Sequence, residues 1–539
     1  MKGSPILPIK HLLAKIRESD RVLISFILLV ALILRIRGID LLLPYFESGP
    51  DERYLIDPAL KILKTGDLNP HFFWYGSFPI YWTALLNGLV LGVRCWVSGG
   101  INTIGECIKN FGIYDQGFLL FYLGRATSIV FGLGTIYLLY LLGRRFFNRE
   151  TGLLASLFLA LSPLHIYFSQ IFKVDISLLF WILLALYFSI KIYEGGSAQT
   201  ILGAGIACGL ALGTKYNFLI FFPLLLVFLR FRREPGKRVR QGLLVLYISA
   251  MVFLLTCPYI FLNFPGFIHD ISIFFSLPGL YIYGNISTSS FLPLWLYRLI
   301  FLFPFYFGPL IFLVSLGGVY LLFRSDWYRG IIFVSFPVAY FIFSSFFSRY
   351  IMPQYQFPLL PFVILLGSFL IINLQKSASP KLRLSGWVVL VFSILFFLSD
   401  LIYPHFYGVY HSYREAGNWV EKNIAPNRRV LTYWWVYSPT NHFGFTREDY
   451  FAQAGDLSVE KFKQVNPDWA VLVDSRVFRN SSYAPVLGKY GNLLSGLKTG
   501  EIKGYRLRKE FSPDPLWEKV AGYLYHEFSG FRIMIYEKG

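Results

Sequence analysis

Eleven stretches of this chain are apolar over roughly the 20 residues that a helix needs to cross a bilayer. They are 22–43, 118–142, 151–168, 175–193, 200–214, 216–231, 241–262, 294–323, 330–347, 356–374 and 385–403. A backbone inside hydrocarbon must satisfy its own hydrogen bonds, so spans of this kind form a helical bundle. Composition agrees: of 539 residues, 55% are hydrophobic and only 15% charged, against roughly a quarter charged in soluble domains. The formal net charge is +19, but the basic residues lie in short clusters between apolar runs, where they set topology. No basic patch alternating with aromatics suggests nucleic acid as a partner. The N-terminus is basic and then apolar, without a small-residue cleavage site, which predicts an uncleaved first span.

A twelfth run, "FPIYWTALLNGLVLGVRCWV" (78–97), is also long enough, so orientation decides its place. Lys10, Lys15, Arg17 and Arg21 put the N-terminus in the cytoplasm. The clusters "GRRFFNRE" (143–150), "RFRREPGKRVR" (230–240) and "QKSASPKLR" (375–383) join them there only if 78–97 lies along the outer face. The expected protein is a multi-pass cell-membrane protein of about eleven transmembrane helices. Its transmembrane module covers 1–403, with a first outer loop at about 44–117 that holds two surface helices. Residues 404–539 alternate polar helices ("REAGNWVEKN", "VEKFKQV") with short strands ("RRVLTYWW", "DWAVLVDS", "FRIMIYEKG"). That pattern predicts a small C-terminal α/β extracytoplasmic domain. The four cysteines have no CxxC spacing; Cys95 and Cys107 can pair if both are extracytoplasmic.

With the basic clusters inside, Asp51, Glu52, Arg125, Lys173, Asp175, Lys215, Arg298 and Arg349 remain outside or at outer span ends. Ionisable groups at membrane depth cost roughly 2.5–3.5 kcal/mol each on insertion scales and normally face a cavity with a task. Arginine and lysine suit a lipid-linked phosphate, the first as a bidentate donor and the second as a point charge. Each also has a plainer reading. Arg349 and Arg125 can anchor span ends at the headgroups. Lys215 can be the polar turn of a helical hairpin, and Lys173 can pair with Asp175. Arg298 is the weakest member of the set.

The adjacent carboxylates of "ESGPDERYLIDPALKIL" (47–63) carry two readings. Ser48-Gly-Pro-Asp51 matches a capping box, Pro50 suits a first helical turn, and Leu55, Ala59, Ile62 and Leu63 form one apolar stripe. Gly66 can end that helix. The same helix N-terminus favours an ionised carboxylate, which general-base work requires.

The block "GPDERYLIDPALKILKTGDLNPHFFWYGSFPIYW" (49–82) resembles the first outer loop of lipid-carrier-dependent glycosyltransferases. These belong to the membrane-embedded superfamily with the C-type fold, which includes protein O-mannosyltransferases and bacterial aminoarabinose transferases. "KVDISLLF" (173–180), "GLALGTKYNFLIFFPLLL" (209–226) and "RYIMPQYQFPLLP" (349–361) are weaker pieces of the same resemblance, which runs through most of 20–400. It implies a polyprenyl-phosphate sugar donor, used from the outer face, and inverting transfer to a hydroxyl or amine. It matches Asp51 to the catalytic acidic position and Glu52 to its neighbour. The chain departs from many relatives in having Gly49 before Pro-Asp-Glu, and "YGSFPIY" (75–81) replaces the Glu-Lys-Pro-Pro element of the aminoarabinose branch. Sugar and acceptor therefore do not carry over from that branch.

The resulting expectation is a membrane glycosyltransferase with Asp51 as base and Glu52 supporting it or positioning the acceptor. Arg349, Lys215, Arg125 and Lys173 would hold the donor phosphate. His71, Tyr54, Tyr75 and Tyr81 are further candidates for the donor path, although interfacial aromatics and a structural histidine explain them as well. No cofactor is expected, since no HExxH, His/Cys cluster or DxD string supports a metal. Expected partners are the polyprenyl-phosphate sugar, a protein, lipid or glycan acceptor, and membrane lipids. A transporter or lipid flippase and a non-catalytic assembly or sensor protein are the alternatives.

Overall fold

The computed structural model describes residues 20–40, 43, 52–100, 104–112, 115–216, 235–276, 293–346, 353–402, 408–425, 428–433, 446–450, 458–474, 484–512 and 532–539. Its helical part opens with α1 (Asp20–Ile36), followed by α2 (Arg53–Thr65), α3 (Phe78–Gly99) and α4 (Ile104–Asn110). The bundle continues with α5 (Asp115–Phe146), α6 (Arg149–Leu161), α7 (Pro163–Gln170), α8 (Val174–Tyr193), α9 (Ala198–Thr214) and α10 (Pro235–Thr256). Two short helices follow, α11 (Tyr259–Leu262) and α12 (Phe264–Ser276). Then come α13 (Leu294–Tyr297), a π turn at Arg298–Leu302, α14 (Phe303–Phe307), α15 (Pro309–Ser325) and α16 (Trp327–Phe346). The bundle closes with α17 (Leu360–Gln375) and α18 (Pro380–Ile402).

Among the described residues seven helices are long and apolar enough to cross a membrane, and eight if the bent pair α6–α7 is one span. Several of the eleven expected runs depart from continuous helices within the described residues, for local reasons. The 151–168 run bends by 60° between α6 and α7, where Ser162 is extended and Pro163 brings no N–H to the ladder. The 294–323 run breaks at Gly308, whose φ is +92°, ahead of Pro309. The 241–262 run stops at Thr256, two residues before Pro258. Of the 216–231 run, only Tyr216 lies within the described residues. Helix α3 itself meets the length and apolarity of a span, so those two properties leave its placement to orientation.

A large apolar core unites α5, α6, α8, α9 and α17 through residues such as Leu139, Phe158, Leu179, Ala207 and Leu365. The outer faces stay apolar, as on α1, where Phe26, Leu29 and Ile33 are 63%, 54% and 59% exposed. A surface of that kind suits lipid. A second core beneath the first loop joins Leu55, Ile56, Ala59, Ile80, Phe121 and Phe172. Helix α2 ends as its sequence predicts: Gly66 is left-handed at φ +73° and its N–H reaches the Ile62 carbonyl. The Cys95–Cys107 pair is joined as a disulfide.

Ion pairs gather several helix ends at one side of the bundle. Asp20 accepts from Tyr140 at 2.8 Å and pairs with Arg144 and Arg149. Arg145 pairs with Glu194, and Lys376 with Glu150 at 3.0 Å. The basic turn around 143–150 thus shares one end with the start of α1 and the ends of α8 and α17. Arg125 stands earlier on α5, about 28 Å away at 1.5 Å per residue.

The C-terminal region holds a mixed five-stranded sheet, ordered β2-β1-β3-β5-β4. Its strands are β1 (Arg429–Tyr433), β2 (Thr446–Tyr450), β3 (Trp469–Asp474), β4 (Tyr505–Phe511) and β5 (Arg532–Lys538). Strand β1 runs parallel to β2 and β3, whereas β5 is antiparallel to β3 and β4. Helix α19 (Gly408–Asn423) covers one face through Ala416 and Val420. Helices α20 (Val459–Val465) and α21 (Ala484–Thr499) cover the other through Phe462, Leu493 and Leu497. Alternation along β5 divides its side chains between the two, with Ile533 and Ile535 on one face and Met534 and Tyr536 on the other.

Candidate active site

The first turn of α2 begins at a buried carboxylate. Glu52 occupies the N-cap position, but its side chain caps no backbone N–H of its own helix. It points inward instead and is 0% exposed. Arg125 on α5 grips it with two parallel bonds, Nε to Oε1 and Nη2 to Oε2, both 2.9 Å. A third donor, the backbone N–H of Phe172, reaches Oε1 at 2.9 Å. Arg125 Nη1 also donates to the Ile39 carbonyl at 2.9 Å, tying the end of α1 to the same point. An ion pair this deep stands only with good geometry and further hydrogen bonds, and both are present. Gly124 lets α5 come close, since a Cβ there would meet the Phe172 ring at 2.4 Å.

Three residues after Phe172 comes the second charged pair. Asp175, in the first turn of α8, accepts from Lys215 Nζ at 2.8 Å, with side-chain exposures of 6% and 13%. Lys215 is the C-cap of α9 and has extended backbone. Its ammonium lies 5.9 Å from the Tyr75 ring and 5.2 Å from the Tyr355 ring. A cation over two aromatic faces is further stabilised by their quadrupoles. The loop before α3 is pinned to this corner. Gly76 N–H donates to the Thr214 carbonyl at 3.3 Å, and Tyr216 Oη donates to the Tyr75 carbonyl at 2.8 Å. Residues 171–175 therefore touch both pairs, through the Phe172 N–H and the Asp175 carboxylate. They also carry Lys173, the N-cap of α8, which lines a groove with Phe78, Trp82, Thr127, Ser128 and Phe131.

The remaining candidates sit in or beside the loop between α2 and α3, His71 within it, Tyr54 on α2 and Tyr81 on α3. His71 Nε2 contacts Asp67 Oδ2 at 2.9 Å, and its backbone, at φ +50°, is held by a bond from its N–H to Asn69 Oδ1. The bond from His71, with the Asn69 N–H, holds the Asp67 carboxyl below its ordinary range. Tyr81 Oη donates to the Leu68 carbonyl at 2.9 Å, and Tyr54 stacks on Phe72 at 5.1 Å. These three residues shape the loop around the Lys215 corner. Arg298 lies apart in the π turn, where Nη1 donates to the Ser344 carbonyl. Ser48, Asp51 and Arg349 lie outside the described residues, as does the capping box that includes Ser48 and Asp51. Among the described residues, no three His, Cys, Asp or Glu side chains gather as a metal site.

The plainer alternative for Lys173 was a pair with Asp175; Asp175 accepts instead from Lys215, at the end of another helix. Sequence reasoning passed over Tyr355, and over Arg35 and His165, two ionisable residues inside apolar runs. Their positions within those runs were the available signal.

Residues 122–261 match the family model described as dolichyl-phosphate-mannose-protein mannosyltransferase. No curated protein sequence matches the chain. ArnT from Cupriavidus metallidurans, solved bound to undecaprenyl phosphate, is similar in fold at a TM-score of 0.52 and 14% identity, over 95% of this chain and 97% of that one. The oligosaccharyltransferase AglB from Archaeoglobus fulgidus, solved with an inhibitory peptide and dolichol-phosphate, gives 0.51 at 12% identity, over 97% of this chain and 88% of that one. The matched segment contains Arg125, Phe172, Lys173, Asp175 and Lys215. The family match and the shared fold agree with the resemblance seen at 49–82.

Proposed function

We propose that this chain is a membrane glycosyltransferase akin to the protein mannosyltransferases, and that it moves a sugar from a polyprenyl-phosphate donor to an acceptor at the extracytoplasmic face, inverting the anomeric carbon. The observation that carries the reading is the buried Glu52–Arg125 pair, bonded to Phe172 N–H and set three residues from the Lys215–Asp175 corner. Clamping Glu52 fixes the backbone beside Asp51 at the start of α2. In the reaction, the Asp51 carboxylate takes the proton from the acceptor hydroxyl or amine. The acceptor atom attacks the anomeric carbon from the face opposite the phosphate. The bond from that carbon to the phosphate oxygen breaks, and its electron pair leaves with the polyprenyl phosphate. Lys215, Lys173 and Arg349 stabilise the growing negative charge; Asp175 and the two tyrosine rings hold the Lys215 ammonium in place for it. Arg125 serves through Glu52, while Tyr54, Tyr81 and His71 keep the loop in shape.

Two observations support an outward-facing site. The arginine-rich turn at 143–150 lies at the opposite end of α5 from Arg125, and basic turns favour the cytoplasm. The Cys95–Cys107 disulfide sits in the first loop, and disulfides persist mainly outside the cytoplasm. On this orientation α3 lies along the outer face and the C-terminal sheet is extracytoplasmic, where it meets the acceptor or covers the site.

The test is to supply membranes containing the protein with radiolabelled polyprenyl-phosphate sugars and protein, lipid and glycan acceptors. Labelled product with an inverted anomeric centre, formed together with free polyprenyl phosphate, is expected. Counterflow of a solute, with no transfer from any donor, would overturn the reading in favour of a transporter or flippase.

A further inference from the structure

A second polar cluster joins α1, α5 and α7. Arg35, in the last turn of α1, and His165, on α7, are both 0% exposed. Arg35 Nη1 donates to the carbonyls of Ala31 at 2.9 Å and Ala160 at 3.1 Å. Its Nη2 lies 2.7 Å from His165 Nδ1. On the far side of the ring, Nε2 lies 2.6 Å from Thr135 Oγ1, and that hydroxyl lies 2.6 Å from the Gly132 carbonyl. The direction of every bond follows from chemistry. A guanidinium has no lone pair to offer, so Nδ1 must accept and His165 is neutral with its proton on Nε2. Nε2–H then donates to Thr135, and Thr135 donates to Gly132. The chain runs one way from α1 through α7 to α5.

Close packing reinforces it. Gln170 Nε2 donates to the Leu34 carbonyl at 2.9 Å. A Cβ on Gly132 would meet Ser169 Oγ at 2.4 Å, and one on Gly38 would meet the Gln170 amide at 2.4 Å. Helix α7 is thereby fastened to α1 and α5 immediately before residues 171–175. Its His165 ring also packs against Phe357 at 5.8 Å, and Phe168 packs against the same ring at 4.6 Å. Phe357 is two residues from Tyr355, one of the rings over Lys215.

We propose that Arg35, His165 and Thr135 are positioning residues for glycosyl transfer. Their one-way hydrogen-bond chain sets the placement of 171–175 and of Tyr355, and through them of Glu52 and Lys215. The idea rests on the reading of the site as a glycosyltransferase centre, and one of its measurements does not need that reading. His165→Gln keeps a donor toward Thr135 but withdraws the acceptor that faces Arg35. His165→Asn keeps that acceptor. Each purified variant is compared with wild type for kcat, for donor KM, and for amide hydrogen exchange at 171–175.

In H165Q, kcat per folded molecule should fall by about 10- to 100-fold, the scale of a small misplacement of reacting groups. Exchange at Phe172 N–H should quicken in parallel, and H165N should restore most of both. A merely structural histidine would lower yield and thermal stability, leave kcat per folded molecule and Phe172 exchange at wild-type values, and make H165N no better than H165Q; that outcome overturns the proposal. If wild type transfers no sugar, the glycosyltransferase reading fails, while unchanged exchange at 171–175 still decides against positioning and quickened exchange for it. Should H165Q not accumulate, Arg35→Met removes the donor that His165 Nδ1 accepts from and is read by the same measurements.

Discussion

Glu52 and Arg125 stand 73 positions apart and are both fully buried, so each depends on the other. Removing one member of such a pair costs about 3–5 kcal/mol, because the remaining charge is left in a dry site, whereas replacing both with apolar residues can be close to neutral. Arg125→Met alone should therefore lower thermal stability in detergent sharply. The double variant Glu52→Leu/Arg125→Met should recover much of the loss and still be inactive; a double variant no more stable than the single one would contradict this coupling. Lys215→Met should raise donor KM and also lower thermal stability, since it leaves the nearly buried Asp175 without its ammonium and loosens α8 from α9. Equal donor KM in wild type and variant would remove Lys215 from the phosphate site. The sequence already pointed to Asp51, Glu52, Lys173, Lys215 and Arg125 as charges out of place, because cost at membrane depth is a property of single residues. Which of them meet was not legible. Pairing depends on how α5, α8 and α9 pack, so for Asp175 the only partner that proximity along the chain offered was Lys173.

Helices were legible where hydrophobicity alone decides them, and breaks were not. A 20-residue apolar window reads through Ser162-Pro163 and Gly308-Pro309, yet both sites turn the backbone. The strands β1, β3 and β5 stood out as apolar runs, whereas β4 is exposed from Arg506 to Glu510 and carries little alternation. Close approaches between elements were invisible for a different reason: a glycine does not say what it touches. Gly76 is an instance, since a Cβ there would lie 1.9 Å from the Gly213 carbonyl oxygen. Gly76→Ala must push the loop off the end of α9, and overpacking of this kind costs about 1–3 kcal/mol or more. The expected result is reduced donor binding together with a lower melting temperature. Unchanged values for both would mean the loop does not rest on α9 as described.

Across the whole molecule, the account depends on which side of the membrane holds the two charged pairs. The apolar pattern announced a polytopic bundle and the C-terminal alternation announced a sheet domain. Orientation came only from the distribution of basic residues, a statistical preference and not a contact. Single cysteines placed at 100–106 should react with impermeant thiol reagents in intact cells, while cysteines at 146–148 should react only after permeabilisation. The reverse pattern would put α3 across the membrane and separate Asp51 from the start of α5. Orientation matters because it determines which substrates can meet Asp51. The central claim is that this carboxylate removes a proton from the acceptor as the polyprenyl phosphate departs. The direct measurement is the initial rate of sugar transfer by purified wild type and Asp51→Asn in the same lipid, at equal folded concentration. Asparagine keeps the size and the capping ability of aspartate but cannot take the proton. The rate should fall by about 10²- to 10⁴-fold with donor binding retained; transfer at the wild-type rate by Asp51→Asn would contradict the mechanism.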